Sequence, residues 1–232
     1  MLADGGVSAV KVLVVAPHMD DEVLGCGASI ARHVEAGDEV HVCFIAHRVY
    51  DHRYDEARNE VEKGHANAAR KVLGYGEAVF FGLDDERLDL CVQDILIPLE
   101  EYIYKFRPHT VYCPFRGDNN QDHRAVFDAA RVALRPSAAH FVDRLLMYET
   151  PSSTEQSPPL PENVFYPNLY VDVKAQLGSK IEALACYETE KRAFPHPRSA
   201  EAVEVLARKR GVEAGFEYAE AFMVLREMWR SL

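Results

Sequence analysis

Residues 10–16 read VKVLVVA, a short and nearly continuous run of apolar, mostly β-branched side chains. The run is one strand long and has no polar alternation, so it belongs in a sheet covered on both faces. Similar runs recur at 40–46 (VHVCFIA), 78–83 (AVFFGL) and 110–114 (TVYCP). The segments between them, 21–36, 54–73 and 92–106, place apolar residues at helical spacing, and 122–134 does the same after the fourth run. Strand alternating with helix builds βαβ units, whose right-handed crossovers give a mainly parallel sheet with helices on both faces. The predicted fold class is α/β.

Beyond residue 134 the alternation weakens. Strands are predicted at 145–148 (LLMY), 169–173 and 221–225 (AFMVL), and helices at 174–187 and 199–210. Between them, 151–167 (PSSTEQSPPLPENVFYP) holds five prolines and three serines, a composition that resists regular structure because proline fixes φ and lacks the N–H donor. Two readings of it stay open, an ordered surface loop and a lid facing the substrate. The 232 residues are expected to form one domain.

Charge narrows the partners. With 26 Lys+Arg against 37 Asp+Glu the formal net charge is −11, and no Lys/Arg run offsets it. Binders of nucleic acid and of anionic membranes gain affinity by pairing cations with phosphates, so both are disfavoured. The five cysteines are an odd number without a C-x-x-C pair and read as small buried hydrophobes of a reducing compartment. The start, MLADGG, lacks a basic region, and the first apolar run is broken by Lys11 and stopped by Pro17. A signal peptide and a membrane span are therefore not expected, and a cytoplasmic protein is.

The chemistry concentrates at two strand ends. Ala16-Pro17-His18-Met19-Asp20-Asp21-Glu22 stands where the first strand gives way to a helix, at the edge where open α/β sheets bind ligands. Carboxylates at this density are costly unless a cation or proton offsets them, and a divalent metal does so economically. A second cluster, Cys113 to His123 (CPFRGDNNQDH), follows the fourth strand. Two histidines and one carboxylate with an open position form a catalytic zinc set, so His18, Asp21 and His123 are the candidate ligands. Asp20 projects to another side and is left free to act as base.

Pro17-His18-Met19-Asp20-Asp21-Glu22 resembles the His-Pro-Asp-Asp-Glu signature of the PIG-L/LmbE-like zinc-dependent deacetylases, and Asn120-Gln121-Asp122-His123-Arg124 resembles their second motif. Further pieces agree in order: Leu83 to Asp89, Tyr187-Glu188-Thr189-Glu190, Pro195-His196-Pro197-Arg198-Ser199 and Ala219-Glu220-Ala221-Phe222. The resemblance implies a Rossmann-like fold that removes an acetyl group from an N-acetylated sugar, commonly an N-acetylglucosamine derivative. It implies one Zn²⁺ held by His18, Asp21 and His123, Asp20 as general base, and assembly into homo-oligomers.

Two departures stand out. Met19 replaces the signature's proline, and Asn120 stands where many members carry a histidine that stabilises the oxyanion and protonates the leaving amine. An amide donates a hydrogen bond but supplies no proton. His196, flanked by prolines, is the expected replacement, with Asp122 orienting its imidazole. Asn120 is retained as a substrate contact, with Asp85 to accept hydroxyl hydrogen bonds and Arg48 to bind a sugar oxygen or anionic substituent. A dinucleotide-binding module fits poorly, since Gly25-Cys26-Gly27 lies inside a helix and Ile30 occupies the third glycine position. P-loop and G-x-S-x-G motifs are absent. A non-sugar amide substrate and a metal-binding member without deacetylase activity remain the alternatives.

Overall fold

The computed structural model describes residues 9–50, 53–138 and 140–229. In chain order these form β1 (Lys11–Ala16), α1 (Asp21–Glu35), β2 (Glu39–His47), a two-residue pairing of β3 (Val49–Tyr50) with β4 (Arg53–Tyr54), and α2 (Glu56–Leu73). They continue through β5 (Glu77–Asp84), α3 (Val92–Phe106), β6 (Thr110–Pro114), α4 (Gln121–Ala133) and β7 (Arg144–Tyr148). The remainder is β8 (Leu169–Asp172), α5 (Leu177–Ala185), α6 (Ala200–Ala214) and β9 (Ala219–Glu227). The fold is α/β, as the alternation of runs predicts.

The main sheet has the order β5-β2-β1-β6-β7-β9-β8. Its first five strands are parallel, and β9 inserts antiparallel between β7 and β8. The side chains of β1 divide as a doubly covered strand requires. Val12, Val14 and Ala16 enter the core on the α1, α2 and α5 face, while Leu13 and Val15 enter the one packed by α3 and α4. Burying each of these valines or leucines fully is worth about 1.5–3 kcal/mol, so both faces reward the same short sequence.

From β1 the chain winds outward to β2 and β5, then returns to pair β6 with the other side of β1. The crevice between the ends of β1 and β6 is therefore the topological switch point, where ligands bind in such sheets. Both sequence clusters emerge there.

Helix α1 carries the first cluster and is not a regular helix. Cys26 adopts φ −148° and ψ 23°, which breaks the hydrogen-bond ladder. Two backbone N–H groups beyond the break, of Ala28 and Ser29, donate to the Glu220 carboxylate at 3.1 and 2.7 Å. Lys180 Nζ donates to the same carboxylate at 2.7 Å and to Leu24 O at 2.8 Å, with both side chains buried. Gly25 faces the Tyr148 ring so closely that a Cβ would lie 2.2 Å from Tyr148 Cδ2, and the Tyr148 hydroxyl is tied to Val15 O at 2.9 Å. The Gly-Cys-Gly sequence thus serves packing at the kink.

The proline- and serine-rich stretch makes two short 3₁₀ turns, Thr154–Gln156 and Pro161–Asn163, and is anchored to the second cluster. Ser153 and Thr154 hydroxyls donate to Asp118, and Ser157 Oγ donates to Gly117 O at 2.6 Å. A Cβ on Gly117 would sit 2.7 Å from Asn163 Cα. Cys26, Cys43 and Cys113 are buried, as the sequence predicts; Cys91 and Cys186 are only half-buried, and all five are free. Among the described residues no helix is long and apolar enough to cross a membrane.

Candidate metal centre

After β1 the chain turns through Pro17–Asp20, with Ala46 N–H donating to Pro17 O at 2.9 Å. His18 N–H then donates to Asp21 Oδ2 at 2.9 Å, which fixes histidine and aspartate against each other at the start of α1. Asp20, the residue before that helix, holds φ 132° and ψ −23°, a conformation that costs a non-glycine residue on the order of 1–3 kcal/mol and marks functional sites. After β6, Asn120 Oδ1 accepts from Asp122 N–H at 2.8 Å, so Asn120 caps α4 and sets His123 in its first turn.

These turns bring His18, Asp21 and His123 together. One potential ligand atom from each lies within 4.8 Å of the others. His18 Nδ1 and His123 Nε2 are each 3.2 Å from Asp21 Oδ2, and the imidazole centroids are 5.4 Å apart. Behind each ring stands another carboxylate: Asp122 Oδ2 is 3.0 Å from His18 Nε2, and Asp118 Oδ1 is 3.3 Å from His123 Nδ1. Asp122 also accepts the N–H groups of Glu86 (2.7 Å) and Leu88 (3.1 Å). Asp118 accepts from Ser153, Thr154 and Asn120. Each imidazole thus turns one nitrogen to a common point and the other to an immobilised carboxylate, the arrangement of metal-ligating histidines. Asp21 Oδ1 is buried without a hydrogen-bond partner. Asp21 Oδ2 stands between the two imidazole nitrogens while Oδ1 keeps an open valence, which suits a cation, and two nitrogens with one carboxylate fit a catalytic divalent site.

Without a metal, protons do this work. Burial alone would lower the pKa of His18, but hydrogen bonds to Asp122 and Asp21 raise it to about 9. Burial likewise opposes, and Asp21 and Asp118 outweigh it, bringing His123 to about 10. Asp21 is held well below the usual carboxylate range despite its burial. Both histidine values exceed 6.5, so their contribution to stability is complete below about pH 6.5 and is lost as pH rises through 9–10. Glu22, pushed up to about 8 chiefly by burial, acts in the same direction as it ionises. The thermal midpoint of the metal-free protein is therefore expected to fall between pH 6.5 and 10; a midpoint that holds or rises contradicts the assignment.

Asp20 is 1% exposed. Burial pushes its carboxyl up to about 6, with the Arg198 guanidinium pulling the other way. Arg198 NH1 donates to Asp20 Oδ2 at 2.7 Å, while Oδ1 has no partner. Arg198 is itself steadied by Ser152 Oγ at 2.6 Å and Glu190 Oε2 at 3.3 Å. A cleft beside His18 is lined by Met19, Ala46, Arg48, Glu62 and Asp85. Within it Asp85 Oδ1 accepts from Val49 N–H at 2.7 Å, and Arg48 pairs with Glu190 at 2.7 Å.

Of the residues singled out in the sequence, His18, Asp20, Asp21, Asp122 and His123 meet at the switch point, and Arg48 and Asp85 line the adjoining cleft. The expected pairing of Asp122 with His196 does not form. Asp122 is taken by His18 and two backbone donors, and His196 Nδ1, on its own loop, accepts from Arg198 N–H at 3.1 Å. That loop reaches Asp20 through Arg198, a residue sequence reasoning passed over although it stands in the same Pro-His-Pro-Arg-Ser motif. Asp118 was passed over too; its signal is its spacing, two residues before the Asn120 cap and five before His123.

Residues 13–134 match the PIG-L family, described as GlcNAc-PI de-N-acetylase, over just more than half of the chain. The uncharacterized deacetylase YaiS of Escherichia coli K12 is 31% identical over 153 residues, covering 61% of this chain and 75% of that protein. Among solved structures, the conserved protein TT1542 of Thermus thermophilus aligns with a TM-score of 0.76 at 25% identity over 96% of this chain and 97% of that one. The N,N'-diacetylchitobiose deacetylase of Pyrococcus horikoshii aligns at 0.75 and 19% identity over 94% and 84% of the two chains. GalB, the 4-carboxy-2-hydroxymuconate hydratase of Pseudomonas putida KT2440, aligns at 0.74 and 21% over 96% and 99%.

Proposed function

The chain belongs to the PIG-L family of GlcNAc-PI de-N-acetylases, and from that premise we propose that it is a zinc-dependent hydrolase releasing acetate from an N-acetylated sugar of the N-acetylglucosamine type. The observation that carries the reading is the convergence of His18, Asp21 and His123, each histidine backed by a carboxylate, at the switch point of the sheet. His18, Asp21 and His123 would hold the ion. When bound, it supplies Lewis acidity, which acidifies water and polarises a carbonyl.

The side chains divide the remaining work. Asp20 Oδ1, the carboxylate oxygen left open when Arg198 holds Oδ2, takes the proton from attacking water. Asp122 and Asp118 keep the two imidazoles oriented. Asp85 accepts sugar hydroxyls and Arg48 steadies a sugar oxygen, both from the cleft beside His18. The Asn120 amide donates to the developing oxyanion, its own oxygen being engaged in the helix cap. Return of the proton to the leaving amine is assigned to His196, whose loop already delivers Arg198 to Asp20.

Acetate release across a panel of N-acetylated mono- and disaccharides tests the reading. Turnover with at least one N-acetylglucosamine derivative is expected, and a fall in turnover in His196→Ala; a panel that yields no acetate contradicts the reading. Asn120 favours one second reading, in which the family's metal site is kept and the substrate is a non-sugar amide or the reaction is not deacetylation. An amide in that position supplies no proton, and the fold also hosts a hydratase. Acetate release from a sugar rules this second reading out.

A further inference from the structure

Three arginines converge on one carboxylate at the rim of the cleft. Glu190 Oε1 lies 2.7 Å from Arg48 NH2, and its Oε2 lies 3.3 Å from both Arg192 NH2 and Arg198 NH1. The Glu190 side chain is 13% exposed and the Arg48 side chain 30%. These guanidiniums come from three separate places in the chain, after β2, just after the 3₁₀ turn Glu188–Glu190, and just before α6. Such a gathering of forked donors is how proteins hold carboxylate or phosphate groups. Here the protein's own side chain occupies it.

The backbone that presents the Arg48 side chain is fixed. Its backbone N–H donates to Asn59 Oδ1 at 2.9 Å and its carbonyl accepts from Asn59 Nδ2 at 2.9 Å, with Asn59 fully buried. Its side chain lines the same cleft as His18 and Asp85. Arg198 is equally committed, to Asp20 and Ser152. Glu190 therefore occupies a set of guanidiniums that an anionic substituent entering the cleft could otherwise reach, and adds a negative charge where that substituent would stand.

We propose that Glu190 is a specificity-determining residue that closes an arginine cradle against anionic substituents and so restricts the site to neutral N-acetylated substrates. The inference rests on the proposed deacetylase function for the nature of the substrate, but its test needs no turnover. Inorganic phosphate is titrated calorimetrically into the chelated protein. The wild type is expected to show no measurable binding. Glu190→Gln, close in shape, is expected to bind at least about ten-fold more tightly than the wild-type detection limit, and Arg48→Met/Glu190→Gln to lose that gain. Glu190→Ala carries the same expectation should Glu190→Gln fail to fold. Phosphate binding by the wild type as tight as by Glu190→Gln would show that Glu190 is a displaceable occupant of an anion receptor, and absence of binding in every variant would show that the cluster is only an internal brace. Either result overturns the proposal. Failure of the wild type to release acetate from any sugar would instead refute the deacetylase reading, and the phosphate titration would still be decisive by itself.

Discussion

Asp20→Asn is expected to lower the rate of acetate release by about 10²–10⁴-fold, the range that a well-placed general base contributes. Asparagine keeps the shape of the side chain and can still accept from Arg198, so the strained turn before α1 and the three ligand residues stay in place. What disappears is the proton acceptor at Oδ1, the oxygen that is buried and without a partner. The loss should appear in kcat, with zinc content and thermal midpoint close to wild type, because Asp20 is not among the residues converging on Asp21. Metal analysis of the purified variant checks the first and a thermal scan the second. Wild-type turnover in Asp20→Asn would move the base elsewhere.

The second large effect is on stability. Glu220→Ala is expected to cost about 3–5 kcal/mol, the range for breaking a buried ion pair from one side. The substitution leaves the Lys180 ammonium buried without its carboxylate and strips two acceptors from the N–H groups of Ala28 and Ser29 at the kink of α1. Urea unfolding measures the cost. The double substitution Lys180→Met/Glu220→Leu should recover part of it, because removing both charges spares the unpaired ammonium. A Glu220→Ala protein within about 1 kcal/mol of wild type would show that α1 does not depend on this network. The dependence matters to the site because α1 opens with Asp21.

The strands were legible because their sequence has one task. VKVLVVA must be apolar toward two helical layers at once, and nothing else explains so uniform a run. The placement of His18 and His123 at neighbouring strand ends was legible for the same reason, since a parallel sheet puts every such end on one edge. Less legible was what pairs with what. Asp122 is assigned to His196 from sequence, and only the fold shows it against His18, with the Glu86 turn closing over it. Arg198, Glu190, Lys180 and Glu220 are ordinary charged residues in sequence. Their long-range partners lie 178, 142, 40 and 192 positions away, where no local period marks them. Helix α6 likewise overruns its predicted end at residue 210, because its stop is the left-handed Gly215 and its caps outweigh a weak apolar pattern.

The point shared by His18, Asp21 and His123 is proposed to carry a catalytic divalent ion. Acetate release from a panel-identified N-acetylated sugar, measured on chelated protein before and after zinc is restored, tests it most directly. Turnover is expected to fall to background on chelation, to return with one equivalent of zinc, and not to return in His123→Ala. Undiminished turnover in protein shown to be free of metal would contradict it.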